Sequence, residues 1–96
     1  MDALSRFDLA EYRGVLMVVV ESDLLPPDPS VVVILLLPDY PAVRYLNPVI
    51  RHEDQSLVLA TRLIAAVRRS SLRCAGSVAH HGDDVIRAVD VLMGGV

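Results

Sequence analysis

Two valine-rich apolar runs, Gly14 to Val20 and Val31 to Leu37, constrain this chain more than any other feature in it. β-Branched side chains pack well on a pleated surface and lose rotamer freedom in a helix, so both runs are expected as strands. Between them stand Pro26, Pro27 and Pro29, which donate no ladder hydrogen bond and force a loop, so the two strands are expected to pair antiparallel. Val31 to Leu37 shows no polar alternation. Both of its faces should therefore be covered, one by the core and the other by something else, for which a second subunit is a candidate. Each run is far shorter than the ~20 residues of a membrane helix. Met1 to Arg6 lacks the basic start and small-residue cleavage site of a signal peptide, so the chain is expected to stay in the cytoplasm.

Beyond Pro38, the stretch Asp39 to Pro48 carries two more prolines and reads as an extended connection. A short strand, Val49 to Arg51, then meets a polar turn at His52-Glu53-Asp54-Gln55. Leu57 to Val67 is open between helix and strand, because Ala, Leu and Arg favour the one while Val58, Thr61, Ile64 and Val67 favour the other. Asp83 to Met93 has helical spacing: Val85, Ile86, Ala88, Val89, Leu92 and Met93 recur on one side, with Asp84, Arg87 and Asp90 on the other. Asp83 and Asp84 suit the positive end of the helix dipole, and Gly94-Gly95 suits its end. Several strands followed by one helix predict a single mainly β domain over residues 1–96, a small barrel or curled sheet.

At 96 residues, with one Phe, three Tyr and no Trp, that core must be aliphatic and modest. Such a small domain gains from the buried area of a second copy, and a homodimer is expected. The nine basic residues are all arginine, against twelve Asp and Glu, for a net charge of −3. No broad basic face for nucleic acid is expected from that balance. A single cysteine, Cys74, allows no internal disulfide and is expected as a small buried hydrophobe.

Few residues suggest chemistry. His52, His80, His81, Cys74 and the Asp83-Asp84 pair are the candidate metal ligands, but they form neither HEXXH nor CXXC spacing, so no metal or other cofactor is expected. His80 is instead a candidate for fixing the helix start by a hydrogen bond. Ser70-Ser71 lies among Arg68, Arg69 and Arg73 without a GXSXG elbow, and no P-loop is present. Arg68-Arg69 with His52 or His80 is the minimum set for acid–base cleavage of RNA, although a short run of charge more often marks solvated surface. By its chemistry the chain reads as a binding protein.

Three stretches in order, Glu21-Ser22-Asp23-Leu24-Leu25, Leu46-Asn47-Pro48-Val49-Ile50 and Leu92-Met93-Gly94-Gly95-Val96, together resemble the CcdB family, the toxin half of a bacterial plasmid-maintenance toxin–antitoxin pair. Ala60-Thr61, Leu63 and Ala65-Ala66-Val67 agree with the family's pattern, and the resemblance runs from about Phe7 to Val96. It implies an SH3-like barrel with a C-terminal helix, a homodimer, and strands over Leu57 to Val67. It also implies a non-catalytic toxin that binds the DNA gyrase A subunit and traps the enzyme on cleaved DNA, with a CcdA-like antitoxin as its neutralising partner and, jointly, operon repression. The gyrase-binding positions fall on Met93, Gly94, Gly95 and Val96, with Gly94 where the family's best-known member has tryptophan. Phe7-Asp8 matches the family's opening strand, while Leu9 to Arg13 is shorter than the usual loop. Two alternatives stand beside this reading: a barrel-fold ribonuclease toxin of the MazF/PemK type, and a non-toxic antitoxin-binding homologue.

Overall fold

A computed structural model describes residues 4–94. Its strands are β1 (Asp8–Tyr12), β2 (Val15–Val19), β3 (Ser30–Leu37), β4 (Val49–His52), β5 (Gln55–Arg68) and β6 (Arg73–Ser77), and its helix is α1 (Gly82–Leu92). Short 3-10 turns at Arg69–Ser71 and Ala79–His81 precede β6 and α1. The strands form one antiparallel sheet in the order β4-β5-β3-β2-β1-β6, a curled half-barrel, so the expected mainly β architecture with a C-terminal helix is observed.

Local turn chemistry sets the pairing. β1 and β2 join through two residues in the left-handed region, Arg13 (φ 51°) and Gly14 (φ 82°), and β4 joins β5 through Glu53 (φ 48°) and Asp54 (φ 65°). Two successive positive φ values give the hairpin turn whose twist matches that of the strands. The first register sets Tyr12 opposite Val15, and the second sets His52 opposite Gln55. The polar turn expected at His52 to Gln55 is therefore present, and Leu57 to Val67 lies within a single strand, β5.

β3 explains its lack of alternation from within the chain. Ile34 and Leu36 join Leu9, Val18, Ile50, Leu57, Leu59 and Val78 in a core capped by Val85 and Ala88 of α1. Val31 and Val33 face the other way, against Ala10, Met17 and Val19, and Leu4, Val67 and Leu72 pack over this second cluster. The second cover is thus supplied by the chain itself. β5 can reach both cores because it bends: between Ile34↔Ile64 and Leu36↔Leu59, β3 advances two residues and β5 five. The extra residues on β5 form an irregularity that re-aims the strand.

Three expectations need correcting. Asp39 to Pro48 is not simply extended, because Val43 and Asn47 exchange backbone hydrogen bonds (3.2 and 2.8 Å) around Tyr45, whose φ is 68°. Cys74 is exposed. Leu9 pairs with Gly76 and Ala10 with Cys74, so Ala75 is the extra residue of a bulge; it packs on the first core and turns Cys74 outward on an edge strand. Third, the side chain at the helix start is His81, not His80: His81 Nδ1 lies 3.3 Å from Asp84 Oδ2, while His80 is exposed.

Candidate functional site

The C-terminal end of α1 is where the resemblance puts the binding residues. The buried stripe of α1 is Gly82, Val85 and Ala88, which leaves Ile86, Val91 and Met93 on the outer side. Met93 is 73% exposed, too open for a core residue at helical spacing. Its N–H donates to Val89 O at 2.9 Å, and Gly94 N–H donates to Val91 O at 3.3 Å. Gly94 then leaves the helix with φ 86°, a conformation cheap only for glycine. A Cβ built on it would meet no atom within 4 Å, so the position faces open space. Gly95 and Val96 lie outside the described residues.

A second apolar element stands near this helix, and the sequence pattern did not mark it as a binding surface. In the β2–β3 loop, Leu24 is 95% exposed and Leu25 is half exposed. The loop is shaped by its own polar groups: Leu24 N–H donates to Ser22 Oγ (3.1 Å), and Leu25 N–H to Ser22 O (3.3 Å). Asp23 Oδ1 accepts the backbone N–H of Arg6 at 2.8 Å, and Arg6 in turn lines a cleft of about 60 Å³ with Phe7, Ile86, Val89 and Asp90. This ties the leucine tip to the flank of α1. The available signal was two leucines placed directly before three prolines, where no strand can bury them.

The Asp39–Pro48 loop also reaches α1. The guanidinium of Arg87 lies 4.9 Å from the Tyr45 ring centroid, and that of Arg44 lies 4.8 Å from it. Beneath the loop, Asn47 and Thr61 are buried. Asn47 Oδ1 accepts the Thr61 N–H (3.2 Å), Asn47 Nδ2 donates to Pro41 O (3.3 Å), and Thr61 Oγ1 donates to Leu46 O.

The residues considered for catalysis are not assembled. Arg69 donates from Nε to Asp28 O (2.8 Å) and pairs through Nη2 with Glu21 Oε2 (3.1 Å), which fastens the β2–β3 loop to the end of β5. A groove of about 730 Å³ opens beside it, walled by Glu21, Asp23, Leu25, Asp28 and Val31. Its carboxylates already serve local turns: Asp28 accepts both the N–H and the Oγ–H of Ser30, at 3.0 and 2.8 Å. Those bonds, the backbone one first, hold the Asp28 carboxyl below its ordinary range, with a smaller attraction from Arg69 and opposition from burial. His52 sits elsewhere, 3.7 Å from Glu53 and against Gly76. Among the described residues, no three His, Cys, Asp or Glu side chains converge in a way that could hold a metal ion. No helix among them is long and apolar enough to cross a membrane.

Among known protein families, the one described as CcdB protein matches residues 8–95. No curated protein matches the chain. With that match covering all six strands and α1, the chain belongs to the CcdB family of toxins.

Proposed function

We propose that this protein is the toxin of a type II toxin–antitoxin pair that binds the DNA gyrase A subunit through the end of α1 and traps the gyrase–DNA cleavage complex. The observation that carries this reading is the family match over residues 8–95, which runs into the exposed Met93-Gly94 end where the family's binding residues fall. An exposed methionine at the end of α1 suits a protein surface, since flexible apolar side chains contribute most when a partner desolvates them. The action is stoichiometric binding without catalysis, as a cytoplasmic homodimer, with a CcdA-like antitoxin as its antagonist and as the DNA-binding half of operon repression.

Expression in gyrase-sensitive cells and in cells with a resistant gyrase A subunit tests the target. Growth arrest confined to the sensitive cells is expected, and equal arrest in both rules gyrase out. Gly94, in the place of the family's tryptophan, favours one second reading, a homologue that binds its antitoxin without poisoning gyrase. In that case antitoxin binding persists and neither strain arrests.

A further inference from the structure

The half-barrel brings its two edge strands toward each other, and histidines stand at that seam. A Cβ added to Gly76 of β6 would lie 3.3 Å from His52 Cε1 of β4. One residue back on β4, the backbone N–H of Arg51 donates to His81 Nε2 at 3.3 Å. This bond joins an edge strand to the turn that starts α1. Because an N–H can only donate, His81 Nε2 must be an unprotonated acceptor, and its proton must sit on Nδ1, which then donates to Asp84 Oδ2 at 3.3 Å. One imidazole thus holds β4 with one nitrogen and the first turn of α1 with the other.

We infer that His81 is an acid-sensitive latch that closes the β4–α1 seam only as a neutral imidazole. A proton on Nε2 turns the acceptor into a donor facing the Arg51 N–H, so that bond must break. The same proton strengthens the other contact, because an imidazolium at Asp84 forms a charge-assisted pair. Protonation therefore moves His81 from a bridge between two elements to a partner of α1 alone. The surrounding charges do not remove this asymmetry. From α1 the facing group is Asp84; from the histidine's own turn it is His80, with ring centroids 4.5 Å apart; from β4, the Arg51 guanidinium is drawn away to Ser56 Oγ (3.2 Å), and His52 is engaged with Glu53 in the next turn. The His81 side chain is 19% exposed, so protons reach it without unfolding.

Amide exchange on the full chain tests the latch, at about pH 7.5 and about pH 5.5, which bracket the range in which imidazoles change charge. After correction for intrinsic exchange, Arg51 N–H protection should fall at least about fivefold on acidification, while the amides of β2 hold. Ring nitrogen shifts should show the Nδ1–H tautomer at the higher pH. His81→Gln offers an acceptor that does not titrate, and its Arg51 protection should match at the two pH values. Equal Arg51 protection at both pH values in the unaltered protein overturns the inference whatever the ring's state, and so does an Nε2–H tautomer at the higher pH. Both of these measurements use the unaltered protein, so the test holds even where the variant fails to fold.

Discussion

The backbone N–H of Thr61 donates to the side-chain oxygen of Asn47 across 3.2 Å, and Thr61 is completely buried at that point. Two residues earlier on β5 the Leu59 N–H donates to Pro48 O, just before β4 begins at Val49, so on that side of the strand the Thr61 N–H falls past the reach of the β4 ladder. Asn47 supplies the acceptor from a different part of the chain. The family-like Leu46-Asn47-Pro48 and Ala60-Thr61 stretches are thus two halves of one polar lock.

Asn47→Ala should therefore destabilise the fold by about 1–3 kcal/mol, since it strands a buried N–H rather than merely deleting a contact. Thr61→Val keeps the volume but leaves the Leu46 carbonyl without its hydroxyl donor, and should cost about as much. Urea midpoints at constant m value would measure both. The double variant should cost less than the sum, because the two side chains share one network. Strict additivity would mean that the lock is not a unit.

The Tyr45 ring, with Arg44 and Arg87 both packed against it, should hold the Asp39–Pro48 loop to α1. Tyr45→Phe keeps the ring and should leave stability unchanged, whereas Tyr45→Ala should lose about 1–2 kcal/mol. Glycine at the same position also lacks the ring but relieves the φ of 68°, so Tyr45→Gly should be milder than Tyr45→Ala. Thermal melts of the three variants give the ranking, and a Gly variant worse than the Ala variant would contradict it.

Asp28 sets an acid limb of stability. Hydrogen bonds from Ser30 N–H, then Ser30 Oγ–H, depress its carboxyl in the folded chain from the ordinary 3.8. A carboxyl with a depressed folded value binds more protons when unfolded. Its contribution is therefore present above the ordinary value and lost as pH falls through the folded one. The stability difference between the natural chain and Asp28→Asn should be constant near neutrality and shrink with acid below 3.8. A difference unchanged through that range would show that the Ser30 bonds do not favour the ionised form.

The strands, the proline loop and α1 were legible because each rests on a local signal: β-branching, missing N–H groups, or helical spacing. The Asn47–Thr61 lock was not, since its partners lie 14 residues apart and nothing in either segment encodes the other. Cys74 shows the same limit. A lone cysteine is expected as a small buried hydrophobe, but a bulge set by pairing with β1 sends this one outward. The second cover on Val31 to Leu37 came from Leu4, Val67 and Leu72, none of which is adjacent in sequence. Of the candidate site, the helix end was readable by its position in the family pattern, whereas the exposed Leu24 tip was signalled only by two leucines set before the prolines.

Gly94 yields the sharpest functional prediction. A Cβ there meets nothing within 4 Å, but the φ of 86° is one that L side chains rarely adopt. Gly94→Ala should therefore lose about 1 kcal/mol, or shift the end of α1, without adding any contact. Gly94→Trp carries the same strain and also adds a ring of the kind that dominates binding hot spots. Against a purified gyrase A fragment, the Trp variant should bind at least about thirtyfold more tightly than the Ala variant, corresponding to ~2 kcal/mol for one well-seated aromatic. Comparing these two variants cancels the backbone cost they share, so the ratio of their calorimetric affinities reports the ring alone. Equal affinities would place the contact surface elsewhere, and the exposed Leu24 tip would then be the next site to truncate.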